Sequence, residues 1–421
     1  MPMTRAREGV QDGHAAQAVQ AAQVAPGFQA GGAAQASDRV QARTLAERHR
    51  DACGVGFVAR SDGRSDRGVI DTALTALERL VHRGGLAADG QTGDGAGLLT
   101  AVPRDFLARE AVRSGMRDPG AAPLGVAVCF LPRDPDAART AVHTIEEACL
   151  QHGVRLLGWR SVPVDPGALG PVARASRPEV RQGLLVPEGA AETEEFERRL
   201  FLARRQVERA RVPRLYVVSM SCRLVVYKGL MTADRIADFY PDLRDPLFHS
   251  PFAVFHQRYS TNTTPSWERA QPFRVLAHNG EINTLQGNVN GMRAREPMLE
   301  VPDWPEAMTH RHLLRDIIDL DGSDSAMLDN VVELLLRAGR HLPHVMAMLV
   351  PEVWEHIPDL PDEVRHFYRF HACLTEPWDG PAALVFADGR WVGARLDRNG
   401  LRPMRYAVLD DGTVLAGSEV G

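Results

Sequence analysis

The spacing of apolar residues changes abruptly at Cys53. Residues 1–40 hold 11 Ala and 6 Gln, with Phe28 as the one aromatic and no sustained helical or strand period. This predicts a flexible leader over residues 1–52. From Cys53 the run Cys-Gly-Val-Gly-Phe-Val-Ala predicts a short strand, and Ile70, Ala73, Leu74, Leu77, Leu80 and Val81 recur at the spacing of one helix face. Residues 124–131 read as a buried strand, Ala138, Val142, Ile145 and Cys149 as a helix face, and residues 215–227 as two strands. Further strands are predicted at 252–259 and 273–278. Ser323 and Asp324 stand where a helix N-terminus takes side-chain acceptors, ahead of Leu328, Val331, Val332 and Leu335.

Near the end of the chain, residues 382–387 and 390–396 flank Asp388-Gly389, and residues 405–409 and 413–416 flank Asp411-Gly412. Both are hairpin signals. Hairpins interleaved with amphipathic helices, without regular βαβ alternation, predict an α+β layered domain with antiparallel sheet.

Composition narrows the function classes. The 421 residues allow two or three domains or one large elaborated one. The net charge of −5 and the scatter of basic residues point away from nucleic acid. The longest nearly uncharged apolar stretch, residues 121–132, has 12 residues, short of the roughly 18 that span a bilayer, so no membrane helix is predicted. Cys53, Cys129, Cys149, Cys222 and Cys373 are too dispersed for a zinc ribbon or an iron–sulfur ligand run, and an odd, scattered set suits a reducing, cytoplasmic setting.

Four groups of residues could carry chemistry. A lone Cys beside a strand is most often core, but Cys53 follows a dispensable-looking leader. Cleavage of the Ala52–Cys53 bond would give it an α-amine of pKa about 8, suited to taking the thiol proton. Asn279-Gly280 reads more simply as a turn, with an oxyanion hole as the alternative. Arg258, at a strand end, fits a substrate carboxylate or a plain salt bridge. Asp324, at a helix start, fits a substrate ammonium group or an ordinary first-turn acid. Gly93-Asp-Gly-Ala-Gly97 matches neither a dinucleotide fingerprint nor a P-loop. The pairs His310/His312 and His341/His344 lack the order of a zinc site.

Taken together, Cys53-Gly-Val-Gly-Phe57, His82-Arg-Gly-Gly85, Thr92-Gly-Asp-Gly-Ala-Gly97, Arg258-Tyr-Ser-Thr-Asn-Thr263, Pro265-Ser-Trp267, His278-Asn-Gly-Glu-Ile-Asn-Thr284, Ser323-Asp-Ser325, Glu376-Pro-Trp-Asp-Gly-Pro381 and Leu396-Asp-Arg-Asn-Gly-Leu-Arg-Pro403 resemble, in order, one family. It is the glutaminase domain of the glutamate synthase large subunit, a class II glutamine amidotransferase with an N-terminal nucleophile. The resemblance runs over residues 53–421. It implies a four-layer αββα sandwich of two antiparallel sheets and removal of a propeptide before Cys53.

It further implies that Cys53 is the nucleophile and its α-amine the base, and that Asn279 and Gly280 form the oxyanion hole. Arg258 would hold the α-carboxylate of L-glutamine and Asp324 its α-ammonium, while Thr261 and His278 line the pocket. Thr264 and Thr375 depart from the family pattern, standing where a larger apolar side chain is expected. Family members continue into a central domain, an FMN-binding synthase domain with an iron–sulfur cluster, and a β-helix. The resemblance therefore implies no cofactor in this chain, and ammonia passed to synthase domains, with a separate glutamate synthase chain as a candidate partner. A non-catalytic or truncated subunit and a general N-terminal-nucleophile amide hydrolase remain as alternatives.

Overall fold

Gly54–Arg60 is a run of small and apolar residues buried on both faces up to Ala59, and a strand of that kind has to lie inside a sheet with neighbours on each side. In the computed structural model, which describes residues 53–258 and 264–419, it does. The predicted leader and Thr261 lie outside the described residues. Among those described, the strands are β1 (Gly54–Arg60), β2 (Ala96–Ala101), β3 (Gly125–Leu131), β4 (Val154–Ser161), β5 (Glu179–Pro187), β6 (Tyr216–Ser221), β7 (Leu224–Gly229), β8 (Phe252–Gln257), β9 (Leu276–Gly280), β10 (Ala382–Ala387), β11 (Val392–Leu396), β12 (Arg405–Val408) and β13 (Thr413–Gly417).

They form three antiparallel groups: β12-β13-β1-β8-β2-β7, β11-β10-β9 and β4-β5-β3-β6. In the first, Gly54 is opposite Gln257 and Ala96 is also opposite Gln257. The starts of β1 and β2 and the end of β8 therefore meet at one margin of the sheet. β1 and β8 pack against β9 and β10, so the first two groups stack face to face.

Helices complete the layers. Arg67–Arg79 is capped by Asp66, whose carboxylate accepts the Gly68 N–H at 2.7 Å, and it buries Val69, Ile70, Ala73 and Leu77 over β1 and β8. Each of its larger side chains contributes about 1.5–3 kcal/mol by leaving water. Asp324–Arg337, capped by Ser323, lies against β9 with Leu328 and Val332 fully buried. Pro135–Gln151 and Thr193–Arg209 cover the third group of strands. This is the antiparallel α+β architecture that the hairpins predicted; the first two groups and their helices give the helix–sheet–sheet–helix stacking that the resemblance implies, while β4-β5-β3-β6 is a third sheet beyond the two it called for.

Two local expectations shift. The strand predicted at 273–278 runs from Leu276 to Gly280: Asp329 of the helix Asp324–Arg337 takes the N–H groups of Arg274, Val275 and Leu276 at 3.3, 2.8 and 3.1 Å, leaving Val275 only its carbonyl to bond β10, at 2.8 Å from Ala387 N. Asn279-Gly280 is not a two-residue hairpin turn: both residues end β9, opposite Ala383 and Ala382 of β10.

Candidate active site

Antiparallel register sets the first contacts. With Gly54 opposite Gln257, Cys53 falls beside Arg258, and Arg258 donates its backbone N–H to Gly95 O at 2.8 Å. Cys53 is buried, and burial pushes its thiol up to about 12, with the positive charges of Arg258 and Arg402 pulling against that and Asp94 adding to it. The end of β13 secures the residue. Ser418 Oγ donates to Cys53 O at 3.4 Å and accepts the Val55 N–H at 3.2 Å, while Ser418 N–H reaches Val55 O at 2.8 Å. Next to it, Glu419 is clamped by His82 Nε2 at 2.5 Å and by Arg83 Nε at 2.7 Å. The His82-Arg-Gly-Gly85 motif thus anchors the segment that touches the nucleophile candidate.

The second contribution comes from the end of β9. Asn279 is buried and Gly280 has φ +130°, a conformation that favours glycine. The chain beyond is laid along Asp379–Pro381: Glu281 N–H bonds Pro381 O at 3.2 Å, Asn283 N–H bonds Asp379 O at 2.8 Å, and Asp379 N–H bonds Thr284 Oγ1 at 2.9 Å. The Glu376-Pro-Trp-Asp-Gly-Pro381 motif is therefore the bed on which the Asn279-Gly280 segment rests.

Asp324 faces the same segment. Its Oδ2 accepts the Ile282 N–H at 2.8 Å and its Oδ1 accepts the Ser325 N–H at 2.7 Å. The helix that carries it is tied to β9 through Asp329, so the distance from Asp324 to Gly280 is fixed by two separate links. His278 is buried. Its imidazole is shifted down by desolvation, with Asp324 and Glu281 opposing and Arg402 reinforcing. Its carbonyl meets His256 Nε2 at 2.9 Å, and burial lowers His256 to about 3. Arg402 acts on both Cys53 and His278, which ties the two halves of the site together.

Of the residues singled out from sequence, Cys53 and Arg258 sit side by side, and His278, Asn279, Gly280 and Asp324 form the adjoining group. Thr261 lies outside the described residues. Three others were quoted within motifs but given no role. Asp94 is buried 3.5 Å from Arg258 Nε. Arg402 is the cation shared by Cys53 and His278. Asp397 is a buried hub whose carboxylate accepts the N–H groups of Ala382 (3.0 Å), Asn399 (2.9 Å), Leu401 (3.0 Å) and Arg402 (3.3 Å). The signal for Asp397 was present in Asp397-Arg-Asn-Gly400, since an Asp ahead of a Gly-containing turn commonly binds the backbone that follows.

Among the described residues, no group of three or more His, Cys, Asp or Glu side chains could hold a metal ion. The five cysteines are all free thiols. No described helix is long and apolar enough to cross a membrane.

Comparison with known proteins agrees with this geometry. Residues 53–421 match the family described as glutamine amidotransferases class-II. The chain is 46% identical over 375 residues to ferredoxin-dependent glutamate synthase 2 of Synechocystis sp., covering 88% of this chain and 24% of that protein. It is 44% identical over 380 residues to the glutamate synthase [NADPH] large chain of Azospirillum brasilense, and 42% over 379 residues to that of Bacillus subtilis, in each case covering 89% of this chain and 25% of the relative. The chain thus spans about a quarter of the length of the curated relatives it matches.

Proposed function

Because the chain belongs to the class-II glutamine amidotransferases, we propose that it hydrolyses the side-chain amide of L-glutamine to glutamate and ammonia, with Cys53 as nucleophile. The observation that carries this reading is the register of β1 against β8, which sets Cys53 beside Arg258, together with the 2.9 Å contact of His256 Nε2 with His278 O, which joins β8 to the end of β9 that carries Asn279 and Gly280. Cleavage of the Ala52–Cys53 bond frees the α-amine. That amine takes the thiol proton as sulfur attacks the amide carbon, and the C–O bond becomes an oxyanion held by the Asn279 side-chain amide and the Gly280 N–H. Collapse breaks the C–N bond, and the α-ammonium returns the proton to the departing ammonia. Water then hydrolyses the γ-glutamyl thioester, giving glutamate and the free thiol. Arg258 holds the substrate α-carboxylate and Asp324 the α-ammonium, with Thr261 and His278 at the pocket wall.

Other bases around Cys53 suit the role less well. Burial lowers both His256 and His278, which makes their imidazoles weak proton acceptors, whereas an α-amine near 8 matches neutral pH. On the evidence of the relatives' names, the ammonia is destined for glutamate synthesis in synthase domains, carried in this system by the same longer protein or a separate chain, in a reducing cytoplasm. The test is ammonia and glutamate release from glutamine by protein whose N-terminus has been determined. Protein that begins at Cys53 and releases no ammonia would refute the reading and favour the non-catalytic subunit.

A further inference from the structure

Resting on the assignment of Arg258 to the substrate carboxylate, we propose that Asp94 is the positioning residue for that arginine, and that the Thr92-Gly-Asp-Gly-Ala-Gly97 segment serves as its brace. The segment resembles a phosphate loop without matching one, and nothing in the chemistry above uses it. Its geometry gives it a purpose.

Arg258 has φ +88°, in the left-handed region that a non-glycine residue occupies only where its surroundings impose it. Two contacts from consecutive residues do so. Gly95 O accepts the Arg258 backbone N–H at 2.8 Å, and Asp94 Oδ2 lies 3.5 Å from Arg258 Nε. Asp94 meets the guanidinium on its Nε side. A guanidinium held there directs its Nη1/Nη2 edge away from the holding carboxylate, the edge suited to bidentate capture of a second carboxylate.

Asp94 is itself held. Its Oδ2 accepts the Gly85 N–H at 2.8 Å and its own N–H returns to Gly85 O at 3.2 Å, so residues 85 and 94 are bonded reciprocally. A side chain at position 85 would begin 2.8 Å from Asp94 Oδ2, which explains the second glycine of His82-Arg-Gly-Gly85. Asp94 is 6% exposed. Burial raises its carboxyl to about 6, while the Gly85 N–H and Arg258 hold it down. It is a carboxylate kept in an unfavourable place by its partners, of which Arg258 is the cation. Without substrate it balances the half-buried guanidinium; with substrate it fixes where that cation stands.

The experiment uses the full chain and compares glutamine kinetics of wild type, Asp94→Asn, Asp94→Glu, Arg258→Ala and the Asp94→Asn/Arg258→Ala double variant, with maturation of each checked by intact mass. Asp94→Asn should raise KM on the order of tenfold and leave kcat close to wild type. Asp94→Glu, which keeps the charge, should recover most of the KM. In the Arg258→Ala background the Asp94→Asn change should add no more than about twofold, because its effect runs through the arginine. An equal rise in KM from Asp94→Asn with and without Arg258, or a fall in kcat at constant KM, would overturn the proposal. Should Asp94→Asn fail to mature, Asp94→Ala takes its place: a KM rise that is lost in the Arg258→Ala background supports the brace, and an equal rise in both backgrounds refutes it. If Arg258→Ala itself leaves KM unchanged, the carboxylate assignment fails, a different result from failure of the brace.

Discussion

Replacing Gly280 by alanine tests the oxyanion assignment at the point where the structure is least tolerant. A methyl carbon there would lie 1.8 Å from Pro381 O, 2.9 Å from Pro381 C and 3.0 Å from Ala382 Cα. These are backbone atoms at the start of the strand that pairs with β9, so no side chain can rotate out of the way. The native φ of +130° adds a conformational penalty of about 1–3 kcal/mol for an L residue. To relieve both, residues 279–281 must shift against Pro381 by an appreciable fraction of an ångström, and the Gly280 N–H moves with them. Loss of one oxyanion donor lowers kcat by about 10²–10³-fold, or roughly 2.7–4 kcal/mol. The assay is steady-state ammonia release at saturating glutamine, beside thermal unfolding. Gly63→Ala is the control, since Gly63 has φ +70° with nothing within 4 Å of a built Cβ; it should lower stability by about 1 kcal/mol and leave kcat alone. A Gly280→Ala protein that folds, matures and keeps kcat within about threefold of wild type would refute the assignment of Gly280 to the oxyanion.

Intact mass of purified active protein should show loss of residues 1–52, and an active preparation retaining the full chain would exclude the α-amine of Cys53 as base. Cys53→Ala should abolish glutamine hydrolysis, and 6-diazo-5-oxo-norleucine should label the wild type once, at Cys53; the buried Cys129 and Cys149 should stay unlabelled in the folded protein. Arg258→Ala and Asp324→Ala should raise KM for glutamine strongly, and the wild type should discriminate against glutamine α-carboxamide and N-acetylglutamine. Similar rates on all three substrates would reduce the enzyme to a general amide hydrolase. Asp397→Ala removes the acceptor of four backbone N–H groups and should cost about 2–4 kcal/mol in denaturant unfolding; a change below about 0.5 kcal/mol would mean the hub is dispensable.

What could be read from sequence, and what could not, divides along the range of the interactions involved. The hairpins at the end of the chain fall where local turn chemistry put them, as β10–β11 and β12–β13, because Asp-Gly pairs specify them within a few residues. The helix start at Ser323 was equally local: Ser323 Oγ accepts the Ala326 N–H at 3.3 Å. β9 was displaced because Asp329, more than fifty positions downstream, takes the N–H groups that would have begun the strand. The helix Thr193–Arg209 went unassigned although Phe196, Leu200, Ala203 and Val207 recur at helical spacing and are buried. What its sequence hides is a second buried stripe that is charged, where Glu197 pairs with Arg337 at 2.7 Å and Arg204 with Glu333 at 2.5 Å, residues that a hydrophobic-period argument assigns to solvent. The individual site residues were legible through their motifs. Asp94, Asp397 and Arg402 were quoted with those motifs but received no role, since their partners are set by strand register and loop packing.

The state of the Cys53 thiol gives the leader a chemical consequence. With its thiol near 12, ionising Cys53 at pH 7 costs about 7 kcal/mol, and the imidazoles of His256 and His278 are too weakly basic to offset that. A thiol held protonated in this way is a poor nucleophile toward amides and other electrophiles. Cleavage before Cys53 changes the balance by one group: an amine of pKa about 8 on the same residue lowers the cost of moving the proton to about 5 kcal/mol, before substrate or oxyanion donors contribute. Arg258 and Arg402 already pull the thiol toward ionisation, and the oxyanion donors stabilise the charge only after sulfur has attacked. On the proposed mechanism, the nucleophile, the cations and the oxyanion segment are in place before cleavage, and the base alone waits on a chain break. If that is right, iodoacetamide should alkylate Cys53 far more slowly in a cleavage-blocked precursor than in the mature protein. Equal rates in the two forms would mean that the amine is not what activates the thiol.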